Sequence, residues 1–76
     1  MKTGKNTIAK YIGKNIKIKR IIDDLGQCEL AEKAGISQGY LSLIENGRQQ
    51  PTLKTLEEIA NILKIPVSEL VKDIKN

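Results

Sequence analysis

Within SQGYLSLIENG, residues 37–47, Gly39, Ser42, Leu43 and Asn46 stand at i, i+3, i+4 and i+7. On a helix of 3.6 residues per turn that spacing makes one face. The face carries no acid or base, one glycine and one bare leucine, whereas solvated helix surfaces normally carry charge. Gln38, in the first turn, adds an amide that donates and accepts at once. Such groups read a partner by hydrogen bonding and shape. Leu41 and Ile44 fall on the other side and belong to a core. Leu43 alone also fits an ordinary exposed leucine, which needs no functional reason.

Catalytic and metal chemistry find little support elsewhere in the chain. There is no histidine and one cysteine, Cys28. That composition excludes an intramolecular disulfide, a Cys/His zinc site and His-based acid–base work. No nucleophile–base pair stands out, so the chain reads as a non-enzyme with no cofactor and no metal. Cys28 sits in the first turn of a helix, where the dipole lowers a thiol's pKa. It fits either a redox-sensitive thiol or a passive surface cysteine. No signal peptide or membrane-spanning run is evident, and the cytoplasm is the expected location.

Charge is unevenly placed. The net charge is +4, yet the first twenty residues hold Lys2, Lys5, Lys10, Lys14, Lys17, Lys19 and Arg20 with no acid. The remaining 56 residues are net acidic, with six bases against nine acids. A basic end on a small domain suits a polyanion, first of all nucleic acid. Lysines kept for solubility would look the same. A basic amphipathic helix lying on a membrane is a weaker reading, because no Trp or Phe is present to anchor it.

The chain's 76 residues support one domain, and its periodicity is helical throughout. Residues 1–7 read as a basic N-terminal arm and 8–74 as the folded domain. A first helix is expected from Ile8 to Asp24, capped by Asn6 or Thr7, with a ladder of Ile8, Ile12, Ile16 and Arg20. The second runs from Gln27 to Ala34 after Gly26, with Leu30, Ala31 and Ala34 inward. Gly35 suits a left-handed position beyond its end. Ser37 caps the third helix, which ends at Asn46-Gly47. Thr52 caps the fourth, whose stripe is Leu53, Leu56, Ile59, Ala60 and Leu63. Pro66 starts the fifth, with Val67, Leu70, Val71 and Ile74 apolar.

Helices two and three, joined by a glycine turn, make a helix-turn-helix. Ala31 must be small where the third helix crosses, Gly35 must take the turn conformation, and Leu30, Ile36, Leu41 and Ile44 lock the pair. With these constraints in place, LGQCELAEKAGISQGYLSLIENGRQQPTLKTLEEIANIL, residues 25–63, resembles the Cro/phage-repressor type of helix-turn-helix domain, the Xre family. IGKNIKIKR (12–20) and IPVSELV (65–71) extend the likeness. The resemblance implies an all-α, compact five-helix bundle of the lambda-repressor-like kind. It also implies sequence-specific binding of double-stranded DNA, usually as a transcriptional repressor.

In such domains the third helix enters the major groove with its N-terminal part at the base edges. The resemblance therefore assigns base contacts to Gln38, Gly39, Ser42 and Leu43. A glutamine pairs with adenine N6 and N7, and a leucine can rest on a thymine methyl. The family often has Arg, Lys or Gln where Leu43 stands. Phosphate contacts are expected from Gln27, Ser37, Asn46 and Arg48, with Lys19 the best candidate of the first helix. Tyr40 suits either a phosphate contact or half-buried packing. The loop RQQP has one positive charge, which weakens any expectation of minor-groove reading. Arg20 and Glu45 fall on inner faces and are expected to form a structural ion pair, since a lone buried charge is costly.

The expected partner is an operator, an inverted repeat bound by a homodimer, which places the protein at the nucleoid. The alternative is an antitoxin or other protein-interaction module of the same fold. Ile18 and Ile22 point away from the ladder, and Val71 and Ile74 are expected to be partly open, so either patch could serve a second copy or another protein.

Overall fold

A computed structural model describes residues 5–73, with side chains from Ile8 onward. Residues 1–4 of the basic arm, and Ile74, lie outside the described residues. Five helices and no strand are found among those described: α1 (Lys5–Ile22), α2 (Gln27–Ala34), α3 (Gln38–Glu45), α4 (Leu53–Leu63) and α5 (Val67–Val71).

The turns are built from local chemistry. Ser37 Oγ accepts from the Tyr40 N–H at 3.0 Å, and Thr52 Oγ1 from the Thr55 N–H at 3.1 Å. Each satisfies an N–H that the first helical turn leaves unpaired. Gly35 is left-handed (φ 71°, ψ 29°), and the Ile36 N–H folds back to the Ala31 carbonyl at 3.0 Å, closing α2. Pro51 and Leu56 flank Thr52 at the positions of a hydrophobic staple, and both are buried.

α1 differs from expectation at both ends. Its helical backbone is already formed at Lys5, so Asn6 and Thr7 lie within the helix and do not cap it. No proline or glycine stands between Lys5 and Ile12 to force a later start. The helix stops at Ile22, because Asp24 turns left-handed (φ 60°) and the Leu25 N–H returns to the Arg20 carbonyl at 3.0 Å. Aspartate is among the few side chains that adopt this conformation at modest cost.

The core is Ile12, Ile16, Leu30, Leu41, Ile44, Ile59, Leu63 and Leu70, joined by Ala31, Leu56 and Ala60. Two expected core residues are outside it. Ile8 is 51% exposed, because the buried face of α1 runs through Ala9, Ile12, Gly13 and Ile16 and not up a strict four-residue ladder. Leu53 is 66% exposed: it is the first residue of α4, and the inward stripe starts one turn later at Leu56. Ile18, Ile21, Ile22 and Val71 are also exposed.

Gly13 sets how closely α1 and α3 cross. A Cβ there would collide with the Ile44 carbonyl oxygen and stand 2.7 Å from that of Glu45. Across the bundle, the Asn15 Nδ2 donates to the carbonyls of Leu70 and Lys72, each at 2.9 Å, and so ties α1 to the end of α5. Backbone atoms cannot yield as a flexible side chain would. Gly13→Ala is therefore expected to destabilise the protein by about 2–3 kcal/mol. A thermal melt should show this as a fall on the order of 10–20 °C, whereas Gly39→Ala, with nothing within 4 Å of its Cβ, should melt no lower than wild type.

Candidate nucleic-acid interface

Most residues of α3 belong to one of two faces. Leu41, Ile44 and Glu45 are buried, while Gln38, Gly39 and Leu43 are exposed, and Ser42 is half-buried between them. Leu43 is 41% exposed, more than most leucines in so small a bundle. Asn46, the C-cap, places its Nδ2 3.5 Å from Ser42 Oγ on the same face. The structure thus brings Gln38, Gly39, Ser42, Leu43 and Asn46 together on one uncharged, solvent-facing surface, with Arg48 exposed just beyond. Tyr40 is half-buried and packs its ring against the core.

Beneath this surface lies a buried charge network. Glu45, its side chain only 2% exposed, accepts from Arg20 through Nε at 2.7 Å and Nη2 at 3.1 Å, a two-pronged pair between α3 and α1. Arg20 Nη1 donates to the Leu25 carbonyl at 2.8 Å. Gln27 Nε2 donates to Glu45 Oε1 at 3.1 Å. No buried side-chain polar atom among the described residues is left without a partner.

The network has a direction. A carboxylate only accepts, so Gln27 must present its NH2 inward and its carbonyl outward. That carbonyl, Oε1, then accepts from Gln38 Nε2 at 3.3 Å. Gln38 is left with its own carbonyl and a second N–H to offer outward. This is the donor–acceptor pair that complements the Hoogsteen edge of adenine, and guanine presents two acceptors there.

The remaining candidates are more dispersed. Gln27 is half-buried and engaged on both sides, so its backbone N–H at the start of α2 is the group most open to an anion. Ser37 spends its oxygen on the α3 cap. Lys19 is held by Asp23 at 2.9 Å, an exposed pair of the weak kind that gives way readily. Cys28 is exposed. Sequence reasoning overlooked Gly13 and Asn15. A lone glycine inside a strong helical pattern was the available signal for the first. Asn15 gave none, because its partners lie 55 and 57 residues away.

The fold and this surface define a helix-turn-helix domain. The helix-turn-helix family model matches residues 16–70, and the chain belongs to that family, in its Cro/phage-repressor (Xre) branch. It is similar to the immunity repressor protein of Bacillus phage phi105, with 47% identity over 60 residues, covering 79% of this chain and 42% of that protein. The chain thus spans less than half the length of that relative. It also resembles SinR, described as the master regulator for biofilm formation, in a structure with DNA: 39% identity, TM-score 0.76, covering 80% of this chain and 98% of that one. A complex of SinR with SinI matches at 37% identity and TM-score 0.78, covering 84% and 63% of the respective chains.

Removing one partner of a buried ion pair leaves the other uncompensated. Glu45→Ala is expected to cost about 3 kcal/mol and to lower the thermal midpoint by more than about 10 °C. A melt almost unchanged from wild type would show that the pair carries no stability.

Proposed function

We propose that the protein is a sequence-specific double-stranded DNA-binding transcriptional regulator, acting as a repressor, that reads the major groove with α3. The observation that carries this reading is the α3 surface: exposed, uncharged, and aimed by a buried ion pair behind it. Gln38 pairs with adenine, Gly39 lets the helix approach closely, Ser42 donates or accepts, and Leu43 rests on a thymine methyl. Gln27, Ser37, Tyr40, Asn46, Arg48 and Lys19 serve the phosphates on either side. The phage repressor and the SinR–DNA complex support the assignment. The family's members are regulators and not enzymes, and no catalytic role is proposed.

An α3 of eight residues covers only a few base pairs, so a homodimer on an inverted repeat is the form best suited to a selective site. Among the described residues no helix is long and apolar enough to cross a membrane, and action in the cytoplasm, at the nucleoid, is part of this proposal. A second reading is an antitoxin or other module that binds a protein. The exposed Ile18, Ile21 and Ile22 on α1 favour it, and the SinR–SinI complex gives a precedent within the fold.

Selection from a random duplex pool tests the first reading. An inverted repeat should emerge. Gln38→Ala should then lose about 1–3 kcal/mol of discrimination at one adenine per half-site, and Leu43→Ala should relax the choice at a thymine. A pool with no enrichment, and retention that only declines with salt, would remove base reading and leave the protein-partner reading.

A further inference from the structure

The family match begins at Ile16, yet α1 begins at Lys5. The helix therefore starts before the segment that the family model matches, and several of its residues from Ala9 onward are seated in the fold. Ala9, Ile12 and Gly13 are buried, and Lys10 lies against Gly47, in the turn after α3. A Cβ on Gly47 would stand 3.1 Å from Lys10 Cγ and 3.3 Å from Lys10 Cα. Gly47 is also left-handed (φ 74°), so a side chain there would be strained twice over.

Where the two segments meet there is a cleft of about 250 Å³, lined by Lys10, Tyr11, Lys14, Asn46 and Gly47. Its lining holds two ammonium groups and no acid. The ion pairs among the described residues use Lys19, Arg20 and Lys72, so neither cleft lysine is neutralised by one. Partial burial and the neighbouring Asp73 carboxylate, which accepts a hydrogen bond from its hydroxyl, raise the Tyr11 pKa above its ordinary 10.0. Tyr11 is thus a neutral wall whose hydroxyl is already engaged. The donors left for an incoming group are Lys10, Lys14 and the Asn46 amide, whose contact with Ser42 Oγ is long at 3.5 Å.

We propose that this cleft seats one DNA backbone phosphate beside the groove that α3 enters, held by the ammonium groups of Lys10 and Lys14 and the amide of Asn46. The assignment rests on the DNA-binding reading and extends the contact surface onto the leading half of α1. Asn46 joins the two, since it ends the α3 face and also lines the cleft. A phosphate contact of this kind adds affinity without sequence preference.

The test is fluorescence anisotropy of the full chain on its selected duplex and on an unrelated duplex, across a salt series. Three double variants are compared with wild type. Lys10→Gln with Lys14→Gln removes the cleft charges while keeping the methylenes against Gly47. Lys33→Gln with Lys54→Gln removes the same charge from exposed positions outside the cleft. Lys10→Arg with Lys14→Arg keeps the cleft charge. The first should bind both duplexes about tenfold more weakly at low salt, with a slope of log affinity against log salt shallower by about 0.9. Its preference for the selected duplex should not change, the second should shift far less, and the third should keep the wild-type slope. Equal effects of the first and second variants, with wild-type binding intact, would overturn the phosphate seat alone. Wild-type protein with no affinity for any duplex would overturn the DNA-binding reading as well.

Discussion

The Arg20–Glu45 pair is the constraint on which the rest depends. A carboxylate this deeply buried would be costly if it stood alone. Here both its oxygens are satisfied, by two bonds from Arg20 on α1 and one from Gln27 at the start of α2. Three helices are therefore registered at one point. Apolar packing tolerates small slides between helices, but a two-pronged guanidinium–carboxylate contact does not. The pair contributes placement as much as stability, because replacing such pairs with apolar side chains often costs nothing.

That placement depends on a second feature. α1 and α3 approach so closely at Gly13 that backbone meets backbone. The crossing leaves Ile12 and Ile16 to fill the space on one side and brings Arg20, one turn further on, level with Glu45. The glycine lowers the helix propensity of α1 by roughly 1 kcal/mol relative to alanine, and the fold accepts this in exchange for the short interhelix distance. Behind the exposed α3 surface there is thus no slack: the side chains that face outward are carried on a helix fixed by a steric stop and by an ion pair.

Much of this was legible in the sequence where the signals are local. Ser37, Thr52 and Gly35 mark helix ends through bonds spanning a few residues, and α2 to α5 lie close to where their caps place them. The division of α3 into an inward and an outward face followed from periodicity, as did the inner placement of Arg20 and Glu45. What was not legible is non-local or conformational. Ile8 and Leu53 fit the helical period as well as their buried neighbours do, and only the end of the packed region decides against them. Asn15 finds its acceptors across the whole chain. Lys64 takes a left-handed conformation (φ 60°) that nothing in its residue type announces.

Two left-handed glycines, Gly35 and Gly47, bracket α3 closely. Between them, the residues that hold the bundle together and those that face outward are almost entirely separate sets. Gln38, Gly39 and Leu43 lie outside the core, and Gln38 reaches the buried network only through the outward carbonyl of Gln27. A lineage carrying this scaffold can therefore exchange those side chains, and with them the partner it recognises, without passing through unfolded intermediates. Divergence in specificity and preservation of architecture are independent here, and a short stretch of chain has room to evolve while the remainder stands still.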